Sequence, residues 1–271
     1  MVLATTYWEP DEEVATRGAV VLAHGYAEHH GRFAAVADVL TNSGFAVVTH
    51  DARGHGSSTG VPFGVIDNFD SLVTDFVGLA RHAQQRYPNM PTFLYGHSMG
   101  GLAVLRAAER GELDVAGIVL TSAAVVAAES IPGPLVAVAN VLGKLAPGLK
   151  TIALEQGAIS RVEQVNEAYD ADPLVYRGKI TAGTGREMNI AMKRAVKDLA
   201  RIDCPILVLH GTADRLTAPA GSLAVIRGVR SADAEIRLFP GAFHELHNEP
   251  ESADVLSYVT DWLLRHLPAT A

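Results

Sequence analysis

The chain has 271 residues, of which 48% are apolar and 19% are charged, and its formal net charge is −8. This composition excludes a disordered chain and favours one domain with an insertion over two domains. The negative charge argues against nucleic acid as a partner, because phosphate binding needs a basic face. A single cysteine, Cys204, excludes a disulfide framework. Neither a signal peptide nor a run of about 18 apolar residues is visible, which predicts a cytoplasmic or peripherally membrane-associated protein.

The first part of the chain alternates short apolar strands with amphipathic helices. The strand at 19–23 is uninterrupted by polar residues and stops at His24, which is typical of a strand buried in a parallel sheet. The segment 69–87 has apolar residues at helical spacing and is closed by Pro88. The expected strands are 3–8, 19–23, 45–49, 92–95 and 116–120, and the expected helices are 32–40, 69–87 and 102–110.

This alternation stops after Ala124. Residues 125–183 contain several Pro-Gly and Asp-Pro pairs and no regular pattern, so we interpret them as an insertion between two strands of the sheet. The predicted division is a core of 1–124 and 184–271 with a cap at 125–183. The later part is expected to contain helices 188–199, 220–228 and 253–267 and strands 206–209 and 235–239. Strands separated by helices predict an α/β fold with a mostly parallel central sheet flanked by helices.

A Gly-x-Ser-x-Gly sequence centred on Ser98 lies between the strand at 92–95 and the helix at 102–110. The order of strand, tight turn and helix is typical of a nucleophile elbow. The turn forces its central residue into strained backbone angles, and the flanking glycines let the strand and the helix pass close together. Ser98 is therefore the predicted nucleophile, at the carboxyl end of the sheet where α/β folds carry their chemistry.

A serine hydroxyl needs a base that takes its proton and a third group that orients this base. In this kind of fold the acid and then the histidine follow the serine along the chain. We assign Asp214 as the acid and His244 as the base, because each lies in a loop that leaves the carboxyl end of a predicted strand. The weaker alternatives are Glu129, Asp170, Asp172, Asp198 and Asp203 for the acid, and His247 for the base.

The tetrahedral intermediate of ester hydrolysis needs hydrogen-bond donors where its oxyanion forms. One predicted donor is the backbone N–H of Met99, at a helix start that favours negative charge. The other is the backbone N–H of Tyr26, in the loop after the strand at 19–23.

The eleven histidines of the chain do not form a metal motif. His29 and His30 are adjacent, and no His or Cys spacing places ligands on one face of an element. We expect no metal ion and no other cofactor.

Several stretches of the sequence form a recognisable set: 24–29 with 31–33, 51–57, 96–101, 172–174, 211–216 and 241–247. This set resembles the monoacylglycerol lipases and lysophospholipases of the α/β-hydrolase superfamily. The resemblance implies the α/β-hydrolase fold, with the segment 125–183 as its cap. It also implies Ser98, Asp214 and His244 as nucleophile, acid and base, with oxyanion N–H groups on Tyr26 and Met99.

The function implied by the resemblance is hydrolysis of a carboxylic ester, with a monoacylglycerol giving fatty acid and glycerol through an acyl-enzyme on Ser98. Glu28, His29, Arg32 and His247 are then candidates for contacts with the glycerol headgroup, or they brace their loops. The alternatives are a lysophospholipase, a short-chain carboxylesterase, an aminopeptidase or a cofactor-free haloperoxidase on the same triad. A catalytically inactive binding protein on a hydrolase fold is the alternative from another class.

Within the cap, residues 135–145 have apolar side chains on most sides of a predicted helix. Such a helix either packs on the core or offers apolar surface to lipid. In a monoacylglycerol lipase it is a lid that docks on membranes or micelles and admits an acyl chain. An ordinary cap helix buried against the core is an equal alternative.

Overall fold

A central sheet organises the computed structural model, which describes residues 1–126 and 141–268. Seven strands of this part of the chain form the sheet in the order β1-β3-β2-β4-β5-β8-β9, and all are parallel except β1 at one edge. Strands β6 and β7 form a separate antiparallel pair. The strands are β1 (Thr5–Trp8), β2 (Gly18–Ala23), β3 (Phe45–His50), β4 (Thr92–His97), β5 (Gly117–Thr121), β6 (Lys150–Ile152), β7 (Ile180–Thr181), β8 (Ile206–Gly211) and β9 (Ala234–Phe239).

Amphipathic helices cover both faces of the sheet. Helix α2 shows why they form where they do: the Asn68 side chain accepts a hydrogen bond from Ser71 N at 2.9 Å, and Pro88 follows its end. The helices are α1 (Ala34–Asn42), α2 (Phe69–Arg86), α3 (Met99–Glu109), α4 (Glu163–Ala171), α5 (Ala182–Asp198), α6 (Pro219–Gly228) and α7 (Ser252–Arg265). Residues 141–145 are also helical.

The core has two layers because side chains alternate along each buried strand. In β2, Val21 packs toward α2 and α3, whereas Val20 and Leu22 pack toward α1 and α7. On the second side, Trp262 of α7 lies against the sheet so closely that a Cβ on Gly117 would be 2.6 Å from its ring. The sheet is thereby fixed between helices, and its strand ends become a rigid base for the loops.

The structure differs from the sequence prediction around the cap. Helix α5 begins at Ala182, six residues before the predicted start at 188, with the Thr181 side chain accepting a hydrogen bond from Thr184 N at 3.2 Å. Gly183 and Gly185 are weak helix formers, so the sequence pattern did not indicate this first turn of α5. The segment 125–183, where we expected no alternation of strand and helix, contains α4 and the short strands β6 and β7. The division of the chain into core and cap stays a prediction.

The predicted cap helix at 135–145 lies partly outside the described residues, which resume at 141. Within the helical residues that follow, Val141 is 58% exposed and Leu145 is 75% exposed. None of the helices in residues 1–126 and 141–268 is long and apolar enough to cross a lipid bilayer.

Candidate active site

Ser98 lies at the turn that joins β4 to α3, and its φ of +52° is in the left-handed region that non-glycine residues avoid. Such a residue typically costs about 1–3 kcal/mol, so the surroundings must hold it in place. Ser98 N donates a hydrogen bond to Thr121 O at 3.0 Å, and Ser98 O accepts one from Ala124 N at 2.9 Å. The turn is therefore fastened to the end of β5, and Ser98 lines a cavity of the protein.

The glycines on either side of Ser98 permit contacts that no side chain would allow. A Cβ on Gly96 would lie 2.6 Å from Gly100 O, within the turn itself. A Cβ on Gly100 would lie 2.1 Å from Ala23 O, at the end of β2. The start of α3 is thus pressed against the loop that leaves β2, which brings the backbone of Met99 near that loop.

We expect Gly100→Ala to lower the free energy of unfolding by about 3 kcal/mol or more, because the atoms its Cβ would meet are backbone atoms of a central strand. The measurement is the urea midpoint followed by circular dichroism. The matched control is Gly78→Ala, at an exposed position of α2 where a Cβ would meet no atom within 4 Å. This control should be stabilised by up to about 1 kcal/mol, the helix propensity difference. Equal stability of the two variants would contradict the close approach of α3 to β2.

Asp214 and His244 form a buried pair beside Ser98. His244 Nδ1 lies 2.7 Å from Asp214 Oδ2. The other carboxylate oxygen, Oδ1, accepts hydrogen bonds from Leu216 N at 2.8 Å and Thr217 N at 3.0 Å. The Thr217 hydroxyl lies 2.8 Å from Oδ2. The turn after β8 therefore aims the carboxylate at the imidazole, and His244, like Ser98, lines the cavity.

The electrostatics of this pair favour an ionised acid and a basic histidine. Burial by itself would lower the pKa of His244, but the Asp214 carboxylate raises that pKa above its ordinary value. Burial would conversely raise the pKa of Asp214, and the adjacent His244 and His210 hold that pKa well below its usual range. An imidazole with this partner can take a proton from a hydroxyl and is stabilised once it is charged.

The alternative acids and base lie elsewhere. Asp172 contacts His29, with Oδ2 at 2.8 Å from Nε2, and Asp198 lies 3.3 Å from Arg106 Nη1. Glu129 lies outside the described residues. His247 is buried against Phe33, with ring centroids 4.7 Å apart, and it does not line the cavity. Burial lowers the pKa of His247 to about 4, which keeps its ring neutral.

The two backbone donors predicted for the oxyanion lie at the start of α3 and in the loop after β2. Met99 is the first residue of α3 and follows Ser98 directly. Tyr26 follows Gly25, whose N–H donates to Glu28 Oε1 at 2.6 Å and at which a Cβ would be 3.2 Å from Ser98 Cβ. The Tyr26 hydroxyl donates to Gly64 O at 2.6 Å, which holds the loop in place.

The cavity in front of Ser98 has a volume of about 570 Å3. Its wall is formed largely by residues between 124 and 180 and by α5, and most of the side chains there are apolar. The apolar lining consists of Val125, Val126, Ile152, Leu154, Ile159, Ile180, Met188, Met192, Val196 and Leu216. Near the elbow the lining becomes polar and includes Glu28, Tyr169 and Glu245 together with His244. The cavity is therefore amphipathic, and the serine belongs to its polar part.

Only one of the four residues predicted to contact a substrate headgroup lines this cavity, namely Glu28. Arg32 lies behind it, with Nε 3.1 Å from Glu28 Oε2 and Nη2 2.7 Å from Glu245 Oε1, and its guanidinium stacks on the Tyr169 ring at 4.7 Å. Burial and the nearby Glu245 raise the pKa of Glu28 to about 7, which Arg32 partly opposes. Arg32 thus braces two carboxylates, as His29 braces Asp172.

Sequence reasoning missed Glu245, Tyr169 and Thr217 as parts of this site. Glu245 adjoins His244, so its position along the chain was a usable signal, but its partner Arg32 is far away in sequence. Tyr169 lies on α4, where the sequence showed no pattern. Among residues 1–126 and 141–268, no group of three or more His, Cys, Asp or Glu side chains is placed to hold a metal ion.

The order of the sheet and the strained serine turn, with a buried Asp–His pair beside it, place the chain among the α/β-hydrolases. A family model described as "Serine aminopeptidase, S33" matches residues 14–251. The chain belongs to this family of serine hydrolases. The predicted fold class and the family resemblance are therefore confirmed.

The relatives of the chain include several lipases. The monoacylglycerol lipase of Mycolicibacterium smegmatis is 42% identical over 260 residues, which cover 96% of this chain and 92% of that protein. The human monoglyceride lipase is 33% identical over 268 residues, 98% of this chain and 87% of that protein. The crystal structure of Paleococcus ferrophilus monoacylglycerol lipase superposes with a TM-score of 0.88 at 33% identity, covering 98% of this chain and 100% of that chain.

Proposed function

We propose that the chain is a monoacylglycerol lipase, which hydrolyses its substrate to a fatty acid and glycerol. The observation that carries the proposal is the amphipathic cavity, whose apolar wall suits an acyl chain and whose polar part contains Ser98 and His244. Its volume of about 570 Å3 suits one ligand of this size. The names of the relatives described above support the same substrate class.

In the first step, Ser98 Oγ attacks the ester carbon while His244 Nε2 takes its proton. Asp214 holds the Nδ1–H of His244 and stabilises the imidazolium that forms. The oxyanion of the tetrahedral intermediate accepts hydrogen bonds from the N–H groups of Tyr26 and Met99, each worth about 3–4 kcal/mol in such sites. His244 then gives the proton to the glycerol oxygen, the C–O bond breaks and glycerol leaves an acyl-enzyme.

The second step repeats this chemistry with water. His244 takes a proton from water as the water oxygen attacks the acyl carbon. Collapse of the second tetrahedral intermediate releases the fatty acid, and the proton returns to Ser98 Oγ. No group beyond this chain and water is needed for either step.

At the polar end, Glu28 is proposed to accept hydrogen bonds from the glycerol hydroxyls. Two carboxylates, Glu28 and Glu245, line this end and share a single guanidinium, that of Arg32, which lies behind them. A neutral diol fits such acceptors, whereas a phosphodiester would bring like charge next to them. This charge balance favours monoacylglycerol over lysophospholipid. His29, Arg32 and His247 then act by holding the loops.

The substrate is proposed to enter through an apolar mouth. Val126, Ile152 and Val196 line the cavity and are nevertheless 38%, 40% and 45% exposed. Apolar side chains at the rim of a cavity are costly in water and are compatible with contact with a lipid surface. Transient docking of this rim on a membrane or micelle would bring the acyl chain to the opening.

The test is a fatty-acid release assay with one acyl chain on different headgroups. We expect kcat/KM for monoacylglycerol to exceed that for lysophosphatidylcholine by at least about tenfold, which corresponds to an unfavourable charge contact at the carboxylates of about 1.4 kcal/mol. Diacylglycerol and the p-nitrophenyl ester complete the ester series, and aminoacyl p-nitroanilides test for an aminopeptidase. A higher kcat/KM for lysophosphatidylcholine or for the anilides than for monoacylglycerol would contradict the proposal. Buffer containing the same mixed micelles without enzyme serves as the blank.

A further inference from the structure

The Asp214 carboxylate contacts a second imidazole, which the steps above do not use. His210 lies at the end of β8 and is completely buried. Its Nε2 lies 3.1 Å from Asp214 Oδ2 and 3.3 Å from Thr217 O. Its Nδ1 lies 2.7 Å from the hydroxyl of Ser222 on α6. Both ring nitrogens therefore have partners, although the side chain does not line the cavity.

These partners determine where the ring proton resides. A carboxylate oxygen and a carbonyl oxygen can only accept hydrogen bonds. The Thr217 hydroxyl also lies 3.4 Å from Nε2, but it has nearer acceptors in Asp214 Oδ2 at 2.8 Å and Ser122 O at 3.0 Å. Nε2 therefore carries a proton that the carboxylate and carbonyl oxygens share. In the neutral ring, Nδ1 then accepts a hydrogen bond from the Ser222 hydroxyl. The Ser222 hydroxyl thereby stabilises the tautomer in which His210 points an N–H group at Asp214. In the opposite tautomer, the lone pair of Nε2 would face Asp214 Oδ2 and Thr217 O and be repelled by both.

We propose that His210 is a positioning residue that holds the Asp214 carboxylate against His244. This inference rests on the proposed function. The shared N–H fastens the carboxylate and the turn 214–217 to the end of β8. Without it, Oδ2 keeps the Thr217 hydroxyl at 2.8 Å as its remaining partner besides His244. Oδ1 stays fixed by Leu216 N and Thr217 N, but Oδ2 is held less firmly, and the 2.7 Å contact with His244 Nδ1 is lost for part of the time. His210 acts on the reaction only through Asp214.

The alternative is that His210 merely fills space under the turn. Two amide side chains separate these roles because each copies one nitrogen of the ring. In His210→Gln the amide nitrogen can reach the place of Nε2 and donate to Asp214 and Thr217. In His210→Asn the shorter amide reaches only the place of Nδ1, beside Ser222, and leaves both oxygens without this donor.

The experiment compares these two variants with the unmodified protein on a p-nitrophenyl ester. We expect kcat of His210→Asn to fall by about 10- to 100-fold with little change in KM, the size expected for loss of one hydrogen bond to a charged group. We expect kcat of His210→Gln to be at least about tenfold higher than kcat of His210→Asn. The thermal stability of the two variants should be the same. Equal losses in the two variants, or an unaffected kcat in His210→Asn, would overturn the proposal.

A second measurement avoids dependence on the folding of His210→Asn. Ser222→Ala removes the hydroxyl that donates to Nδ1 and stabilises this tautomer, and it leaves Asp214 and His210 in place. We expect it to lower kcat about fivefold in the unmodified protein and to have no effect in the His210→Gln background, where no ring tautomer exists. Equal effects of Ser222→Ala in both backgrounds would show that Ser222 does not act through the ring, and would overturn the proposal.

The proposed function and this inference fail in different ways. If the unmodified protein hydrolyses no ester and is not labelled at Ser98 by a fluorophosphonate, the proposed function fails. If the unmodified protein turns over the ester and the two His210 variants behave alike, the inference about His210 fails while the proposed function stands.

Discussion

Ser98→Ala should lower kcat for ester hydrolysis by about 10⁶-fold, the loss found when the nucleophile of a serine triad is removed. The remaining activity would come from donors and binding contacts that still act on a water molecule. Folding should be unaffected, since alanine occupies a φ of +52° at about the same cost as serine. A large loss of turnover without loss of stability is therefore the expected signature of this variant.

The measurement combines steady-state turnover with labelling by a fluorophosphonate, which phosphonylates a serine oxygen and releases fluoride. Mass spectrometry of the digested protein should locate the label on Ser98, and Ser98→Ala should take up none. Ser43→Ala is the control, because the Ser43 hydroxyl donates to Val39 O at the end of α1 and does not line the cavity. Active protein that stays unlabelled, or a label elsewhere, would refute the assignment of the nucleophile.

The sequence predicted the parts of this site that depend on local order along the chain. The prediction of Ser98 rests on the order of a strand, a turn with small residues and a helix, which an elbow requires. The predictions of Asp214 and His244 rest on the meeting of the carboxyl ends of parallel strands at one edge of the sheet. In each case the signal lies within about ten residues of the side chain concerned, where periodicity and turn chemistry can be read.

The contacts that hold these residues could not be predicted in the same way. Glu245 and His210 face Arg32 and Ser222 from other elements, and the pairing depends on how helices pack on the sheet. The start of α5 was missed because glycines weaken the local signal and the decisive hydrogen bond, at Thr181, is a helix cap. Sequence alone does not decide whether His29, Arg32 and His247 touch a substrate or a loop, for the same reason. Their partners lie far away along the chain: Asp172 for His29, Glu245 for Arg32 and Phe33 for His247.

Asp214→Asn should lower kcat by about 10⁴-fold and also change its pH dependence. An amide at this position can donate a hydrogen bond to Nδ1, which puts the ring proton on Nε2 and leaves no lone pair for the proton of Ser98. The remaining turnover comes from the fraction of His244 in the productive tautomer. The variant should fold, since the amide oxygen can still accept from Leu216 N and Thr217 N.

The matched control is Asp172→Asn, which removes an equivalent carboxylate 2.8 Å from a histidine, His29, outside the cavity. Its kcat should stay within about threefold of the unmodified protein, the range of an outlying polar substitution. If kcat of Asp172→Asn fell as far as kcat of Asp214→Asn, the assignment of Asp214 as the acid would be contradicted.

The sign of the pH effect follows from the two influences on His244. Turnover needs the neutral imidazole, so kcat/KM of the unmodified protein rises with pH through the pKa of His244, which Asp214 holds above its ordinary value. Removing this negative charge leaves burial as the dominant influence, and burial lowers the pKa of a histidine. The acidic side of the curve of kcat/KM against pH should therefore move to lower pH in Asp214→Asn, and the plateau of this curve should fall. An acidic side that stayed in place would mean that His244 is not the titrating base, because a base that has lost its neighbouring carboxylate cannot keep the same proton affinity.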